Sequence, residues 1–347
     1  DFVGDYTIVL FPFIKKLGMK PDELADGIAN ELKSKLSSYQ NHNLVKGFLN
    51  IELSPAFWSN SLGDILKNTD FGRRLDRGLK SETKDQSILI EYPSPNTNKP
   101  LHLGHLRNIF LGQSLGNIME ANGFTVYRTC LYNDRGTNIS KSMWAYQHAT
   151  TKHTPENSGI KGDHIVGDYY VRFSELLKTE MKQLIESDLT EEEAKRQSKL
   201  EKEIADLTVQ WELHVPEVVE LWKTMNGWFH DGVAVTYKRL GLSFDKEYYE
   251  SEIYNRGRET VEEGLKKGIF YQKDDSSVWI DLTDVGLDQK LVLRSNGTTV
   301  YITQDIALVY EKQKDFNFQR SVYVVGNEQD YHFKVLFEIL KRLGLNG

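Results

Sequence analysis

The sequence predicts an α/β protein, in which a parallel-sheet domain carries a mixed, mainly helical insertion and follows a small α+β domain. Three observations predict this. Ile88–Tyr92 is a β-branched apolar run with the length of a buried strand, and a helical period and a second strand-like run follow it within forty residues. Short strand-like segments return after residue 260, separated from the first by a long charge-rich stretch. The first 75 residues alternate on their own pattern. The expected division is 1–75, then 76–347, the latter split into 76–149, an insertion at 150–260 and 261–347.

In chain order, Tyr6–Phe11 reads as a strand, and Pro21-Asp22-Glu23 opens a helix whose Leu24, Ile28, Leu32 and Leu36 share a face. Phe48–Leu53 alternates as a half-buried strand. Asn68–Gln86, with Arg73, Arg74, Arg77, Lys80 and Lys84, reads as a charged linker. After the Ile88–Tyr92 strand, Pro93, Pro95 and Pro100 keep the chain extended. A helix then starts near Leu101, with Leu106, Ile109, Leu115, Ile118 and Met119 at helical spacing and Gly123 as its cap. Phe124–Leu131 is the parallel partner strand, with Cys130 a buried apolar residue and Asn133-Asp134-Arg135-Gly136 at its C-terminal end.

Within the insertion, Ser158–His164 reads as a loop, Glu175–Leu207 as charge-rich helix, and Thr190 with Glu193 as a capping box. Trp211, Trp222, Trp228 and Phe229 suggest helices packed on the core. Val278–Leu282, Leu291–Leu293, Val300–Ile302 and Val322–Val325 read as strands, Ser295-Asn296-Gly297 as a turn, and Lys334–Leu343 as a helix.

Composition narrows the class. Hydrophobic residues make up 39% and charged residues 27%, as in an ordinary soluble protein. No apolar run nears the ~20 residues of a membrane span, and no signal peptide is visible. The chain does not begin with Met, which suggests that the natural start lies upstream. One cysteine, Cys130, excludes a disulfide framework within the chain or a multi-cysteine zinc site, and a reducing cytoplasm is the expected compartment. The 43 basic and 50 acidic residues give a net charge of −7, which argues against indiscriminate nucleic-acid binding.

The chemistry concentrates where the first long helix begins. A helix N-terminus favours an anionic phosphate, His102 and His105 add imidazole donors, and Gly104 leaves room for a ligand. The plain alternative is a pair of exposed or capping histidines.

Ser94-Pro95-Asn96, Lys99-Pro100 and His102-Leu103-Gly104-His105 together resemble the signature of class I aminoacyl-tRNA synthetases, and of arginyl-tRNA synthetases in particular. Lys46–Asn50, Asp134-Arg135-Gly136, Ser295–Asp305 and Tyr323–His332 extend that resemblance over most of the chain. It implies a Rossmann-like catalytic domain that joins L-arginine to tRNA(Arg) through an arginyl-adenylate, using ATP with its accompanying Mg2+. It implies that His102, Gly104, His105 and Lys99 meet the phosphates. Glu91 and Asp305 would match the planar guanidinium, Tyr301 would wall the pocket, and Ser94, Asn96 and Gln329 would hold the amino-acid head. Phe48 and Asn50 would contact the tRNA elbow.

Alternatives stand beside these roles. Phe48 could be core and Asn50 a turn residue, Asp305 could cap a helix near Ile306, and Glu91 could pair with a lysine. Arg135 stands where family members often have Trp. The second signature loop and the anticodon-binding domain of the family do not occur before Gly347, so a monomeric fragment with impaired charging is expected. Other class I synthetases, a non-catalytic tRNA-binding paralogue and a small-molecule nucleotidyltransferase are the competing readings.

Overall fold

The structure is a computed structural model in which residues 3–73, 87–254 and 256–345 are described. It divides into two compact units, residues 1–76 and 77–347.

The first unit runs β1 (Tyr6–Val9), α1 (Phe11–Leu17), α2 (Pro21–Lys35), β2 (Tyr39–Val45), β3 (Phe48–Leu53) and α3 (Pro55–Lys67). Its strands form an antiparallel sheet in the order β1-β3-β2. The first strand is shorter than the expected Tyr6–Phe11, because Leu10 caps α1 and Pro12 occupies its first turn. Leu24 is buried, and Ile28 and Leu32 pack on the same core with Leu49 and Ile51. Leu36 falls just beyond α2 as its cap and is exposed. The basic residues Arg74, Arg77, Lys80 and Lys84 of the expected linker lie outside the described residues.

The second unit opens with β4 (Ser87–Glu91), α4 (Leu103–Ala121), β5 (Thr125–Tyr132), α5 (Thr137–Gln147), α6 (Pro155–Ser158) and α7 (Gly162–Glu186). It continues with α8 (Glu191–Gln197), α9 (Lys199–Glu212), α10 (Pro216–Leu240), β6 (Lys246–Tyr249), α11 (Glu250–Ile253) and α12 (Gly257–Lys266). It then runs through β7 (Tyr271–Gln272), β8 (Val278–Ile280), β9 (Lys290–Leu293), α13 (Tyr301–Phe316), β10 (Arg320–Tyr323) and α14 (Asp330–Leu343).

Strands β10, β4, β5 and β6 pair in that order, every pair parallel. The strand order therefore reverses beside β4: β5 and β6 lie on one side of it and β10 on the other. In open α/β sheets the crevice at such a reversal, at the strands' C-terminal ends, is where ligands bind. The sheet and α4, α5, α7 and α10 share one core, which includes Ile90, Tyr92, Ile109, Cys130, Phe173 and Phe229. Trp211, Trp222 and Trp228 pack partly buried against it. A second core joins β8 and β9 to α12, α13 and α14.

Four expectations are corrected. Strand β6 belongs to the parallel sheet although it falls within the expected insertion. The Ser158–His164 stretch is mostly helical, covering the end of α6 and the start of α7. Val300–Ile302 is not a strand: helix α13 starts at Tyr301, and the Val300 carbonyl accepts from the N–H groups of Thr303 and Gln304. Strands β7, β8 and β9 form a separate antiparallel sheet. On α4, Ile109 is buried, whereas Ile118 is 58% exposed.

Helix α4 approaches β4 through Gly112, where a Cβ would lie 2.3 Å from the buried Tyr92 ring. Tyr92 is also held by its hydroxyl, which donates to Gln113 Oε1 at 2.6 Å. Gly112→Ala is therefore expected to destabilise the second unit by about 1–3 kcal/mol, the cost of overpacking a filled core. A drop in the urea midpoint at constant slope checks it.

Candidate active site

At the C-terminal end of β4 the chain stays extended through its prolines and enters α4 at His102, the N-cap. The two histidines cap this helix reciprocally. His102 Nδ1 accepts from the Gly104 N–H at 3.1 Å, and His105 Nδ1 accepts from the His102 N–H at 3.1 Å. Their ring centroids are 3.9 Å apart. A ring nitrogen that accepts a backbone N–H carries no proton, so both imidazoles carry theirs on Nε2. Burial, with the charges of His102 and Lys99 nearby, lowers the His105 pKa to about 4. A Cβ at Gly104 would lie 2.9 Å from the His102 ring.

The capping alternative is thus realised, and it leaves an Nε2–H on each ring as a donor. Two backbone donors at this helix start are already engaged by the rings themselves, so an anion would depend on the imidazoles more than a bare N-terminus requires.

The loop before the histidines is stitched to the loop after β5. Asn133 N–H donates to the Pro95 carbonyl at 3.0 Å, Thr97 N–H to the Asn133 carbonyl at 3.1 Å, and Asn133 Nδ2 to the Ser94 carbonyl at 3.3 Å. Asn96 bridges Asn133 across this seam. On the other side, α7 comes close through Gly167, where a Cβ would meet Pro100 at 2.5 Å. Lys99 is half-buried between these contacts, and Ser94 is exposed. Gln329 lies exposed in the turn after β10, on the other strand flanking the reversal.

The two expected guanidinium acids are placed differently from each other. Glu91, the last residue of β4, is buried and ion-pairs with Lys312 of α13, whose side chain is 0% exposed. Ser94 Oγ donates to its other oxygen at 3.4 Å. This realises the lysine-pairing alternative and corrects the expectation that Glu91 would join Asp305 in matching a guanidinium. The physical reason is that a buried ammonium must have a counter-charge, and Glu91 is the carboxylate within reach.

Asp305 does line a cavity, a narrow one of about 40 Å³, with Glu250, Tyr301 and Gln304. Its Oδ2 lies 2.6 Å from His332 Nε2. Tyr301, 75% exposed, and Glu250 also face a larger cavity of about 760 Å³, whose wall includes Arg135, Arg258 and Arg294.

Sequence reasoning missed Lys312, His332 and Glu250. Lys312 had a signal: it stands four residues after Leu308 and three after Val309, on the buried stripe of α13. Glu250 stands just after β6, and with β6 unseen there was no reason to bring it to the sheet edge. Burial raises the Glu250 pKa to about 7, against the lowering effect of Arg135, with Asp134 and Asp305 adding to the rise.

Arg135 clamps the loop after β5 to the insertion. It pairs with Glu212 at 3.0 Å and lies 3.9 Å from the Tyr254 ring centre and 5.4 Å from that of Trp211. Asp134 is buried and accepts from Ser251 N–H at 2.8 Å and Oγ at 2.6 Å, while its carbonyl accepts from Trp222 Nε1 at 2.6 Å. These bonds hold the C-terminal ends of β5 and β6 in register.

Comparison with known proteins decides the family. The family model "tRNA synthetases class I (R), catalytic domain" matches residues 73–347. The chain belongs to that family. It is 47% identical over 344 residues to an arginine–tRNA ligase of Amoebophilus asiaticus, covering 99% of this chain and 56% of that protein. It is 46% identical to one of Bacteroides thetaiotaomicron, covering 99% and 57%. The chain thus spans little more than half the length of these curated relatives. Among solved structures, the arginyl-tRNA synthetase of Plasmodium falciparum shares the fold, with a TM-score of 0.58 at 17% identity over 98% of this chain and 56% of that one.

In the first unit, Phe48 packs edge-on against Phe11, with ring centroids 5.6 Å apart. Asn50 is 1% exposed in the middle of the central strand. Its amide donates to Asn43 Oδ1 at 2.9 Å and accepts from Thr7 Oγ1 at 2.7 Å. Asn50 is therefore neither a turn residue nor an exposed amide ready to read a base edge; its hydrogen bonds hold the sheet together.

Proposed function

We propose that this chain carries the arginine-activating centre of an arginine–tRNA ligase, forming arginyl-adenylate from L-arginine and ATP for transfer to tRNA(Arg). The observation that carries this reading is the pairing, within one class I catalytic domain, of two cap-locked imidazoles that donate only through Nε2 with a carboxylate, Asp305, set in a cavity wall.

The chemistry asks the protein for positioning and charge neutralisation rather than for a covalent step. His102 and His105 donate to phosphate oxygens through Nε2, and His105, with its lowered pKa, does so as a neutral group at pH 7. Lys99 supplies a full positive charge beside them. Asp305 receives the guanidinium, with Tyr301 as the wall, and Ser94, Asn96 and Gln329 serve the amino and carboxylate end. Glu91 acts one layer back, with Lys312, as a support for that wall.

Mg2+ arrives with ATP; among the described residues no group of three or more His, Cys, Asp or Glu is placed to hold a metal ion. The first unit, with Phe48, serves the tRNA elbow. No helix of the described residues is long and apolar enough to cross a membrane, and a reducing cytoplasm suits the buried Cys130.

The test is ATP–pyrophosphate exchange with tRNA present, across a panel of amino acids, by this chain within a protein of its relatives' full length. Arginine alone is expected to support exchange, with citrulline, its neutral isostere, at least about 100-fold weaker for want of the cation. Exchange with another amino acid, or none with arginine, overturns the reading. Because His105 titrates only near pH 4, the rate should show no loss from this group between about pH 6 and 8, which a pH profile checks.

A further inference from the structure

Asp305 is the fifth residue of α13, and only one of its two carboxylate oxygens is engaged. His332 Nε2 lies 2.6 Å from Oδ2, while Oδ1 has no hydrogen-bond partner among the described residues. His332 is the third residue of α14, half-buried, with its ring packed edge-on against Phe333 at 5.7 Å. The pair ties two helices together at the rim of the cavity that Asp305 lines.

We propose that His332 is the positioning residue of the cation pocket: it fixes the Asp305 carboxylate with Oδ1 left for an arriving guanidinium, and a proton on His332 competes with that guanidinium for the same charge. The inference rests on the arginine reading above and adds to it the residue that sets the pocket's geometry and its response to pH.

Two physical points support it. A carboxylate on a free side chain loses rotamer freedom when it binds, and a partner that holds it beforehand removes part of that cost. A neutral His332 donates one hydrogen bond and leaves Asp305 its full negative charge, whereas an imidazolium cancels it.

The hydrogen bond to Asp305, against the opposing effect of burial, raises the His332 pKa; the Asp305 charge adds to the rise, and Lys290 on β9 opposes it. The charged groups around the pair are Asp305 from α13, Lys290 from β9 and, beyond Asp305, Glu250 just after β6 and Lys312 of α13, which is itself paired with Glu91. Asp288 is already taken up by Tyr331 and Lys290. A cation at Asp305 drives the proton off His332, so affinity rises with pH until His332 is neutral in the free protein. Glu250 deprotonates in the same direction, so the two must be separated by substitution.

The experiment is equilibrium binding of L-arginine to the full chain between about pH 6 and 8.5, with wild type, His332→Gln, His332→Leu and Glu250→Gln. Gln places an amide near the Nε2 position without titrating. His332→Gln is expected to bind within about threefold of wild type at pH 8.5 and to lose most of the weakening at pH 6, which in wild type amounts to about tenfold per pH unit below the His332 pKa. His332→Leu is expected to bind about tenfold more weakly than wild type does at pH 8.5 and, like His332→Gln, to lose most of the pH dependence. Glu250→Gln should keep the His332 part of the profile.

If His332→Gln keeps the wild-type profile, or His332→Leu binds as wild type does, the proposal is overturned while the arginine reading stands. If wild type binds no arginine at all, the reading itself is overturned and this inference with it.

Discussion

Replacing Lys312 with Met is expected to lower the unfolding free energy of the second unit by about 3–5 kcal/mol, the cost of leaving a buried carboxylate without its counter-charge. Lys312 is fully buried, and its ammonium pairs with Glu91 between the Tyr323 and Tyr248 rings, 5.0 and 5.7 Å from their centres. Burial alone would push the ammonium toward neutrality; Glu91, with Tyr323 and Asp305, more than reverses this, so its pKa stands above 10.5. Its contribution is therefore complete below the ordinary lysine value and is lost only as pH rises through the higher folded value.

The loss in Lys312→Met should accordingly be nearly constant between about pH 6 and 9. The double variant Glu91→Gln, Lys312→Met should recover much of it, since a packed neutral pair often replaces a buried ion pair at little cost. Urea unfolding of the single and double variants gives the coupling directly. A double variant no more stable than Lys312→Met would show that the pair is not the cause.

The second large effect is on affinity. Asp305→Asn keeps the size of the side chain and removes its charge, and is expected to weaken arginine binding by about 2–5 kcal/mol, at least about 30-fold in Kd. Citrulline, with the same shape and no charge, should bind the variant about as well as it binds wild type. Calorimetric titration of both ligands reads the contrast, and an arginine affinity within about threefold of wild type would remove Asp305 from the pocket.

These two experiments separate roles that the amino-acid sequence presents as one. Glu91 and Asp305 look like equivalent acids there, because nothing local distinguishes a carboxylate facing a cavity from one facing a buried lysine. The difference lies in α13, which puts Lys312 on its inner face, and in α14, which brings His332 to Asp305.

What was legible was local. The strand-loop-helix-strand of β4, α4 and β5 rests on a β-branched run, prolines and a helical period, and the Thr190–Glu193 capping box forms as read. What was not legible depends on distant partners. Strand β6 is only Lys-Glu-Tyr-Tyr, too short and polar to stand out until β5 pairs with it. Val300-Tyr301-Ile302 has strand composition, yet Ile302 and Ile306 serve the second core only as one face of a helix. The start of α7 carries a glycine that reads as loop, but Gly162 is buried there, and a Cβ would lie 2.0 Å from the Trp228 carbonyl oxygen.

The order of strands across the sheet has a consequence for how the chain comes together during synthesis. Strands β4 and β5 are close in sequence and can zip up early, but Ile88 of β4 waits for Arg320 of β10, and Thr129 of β5 waits for Lys246 of β6. Loop closure over such spans is slow. A nascent chain emerging from the ribosome therefore carries both borders of its central hairpinless pair unpaired while more than a hundred residues are still to be made, and those borders are where it is most exposed to aggregation and most in need of a chaperone.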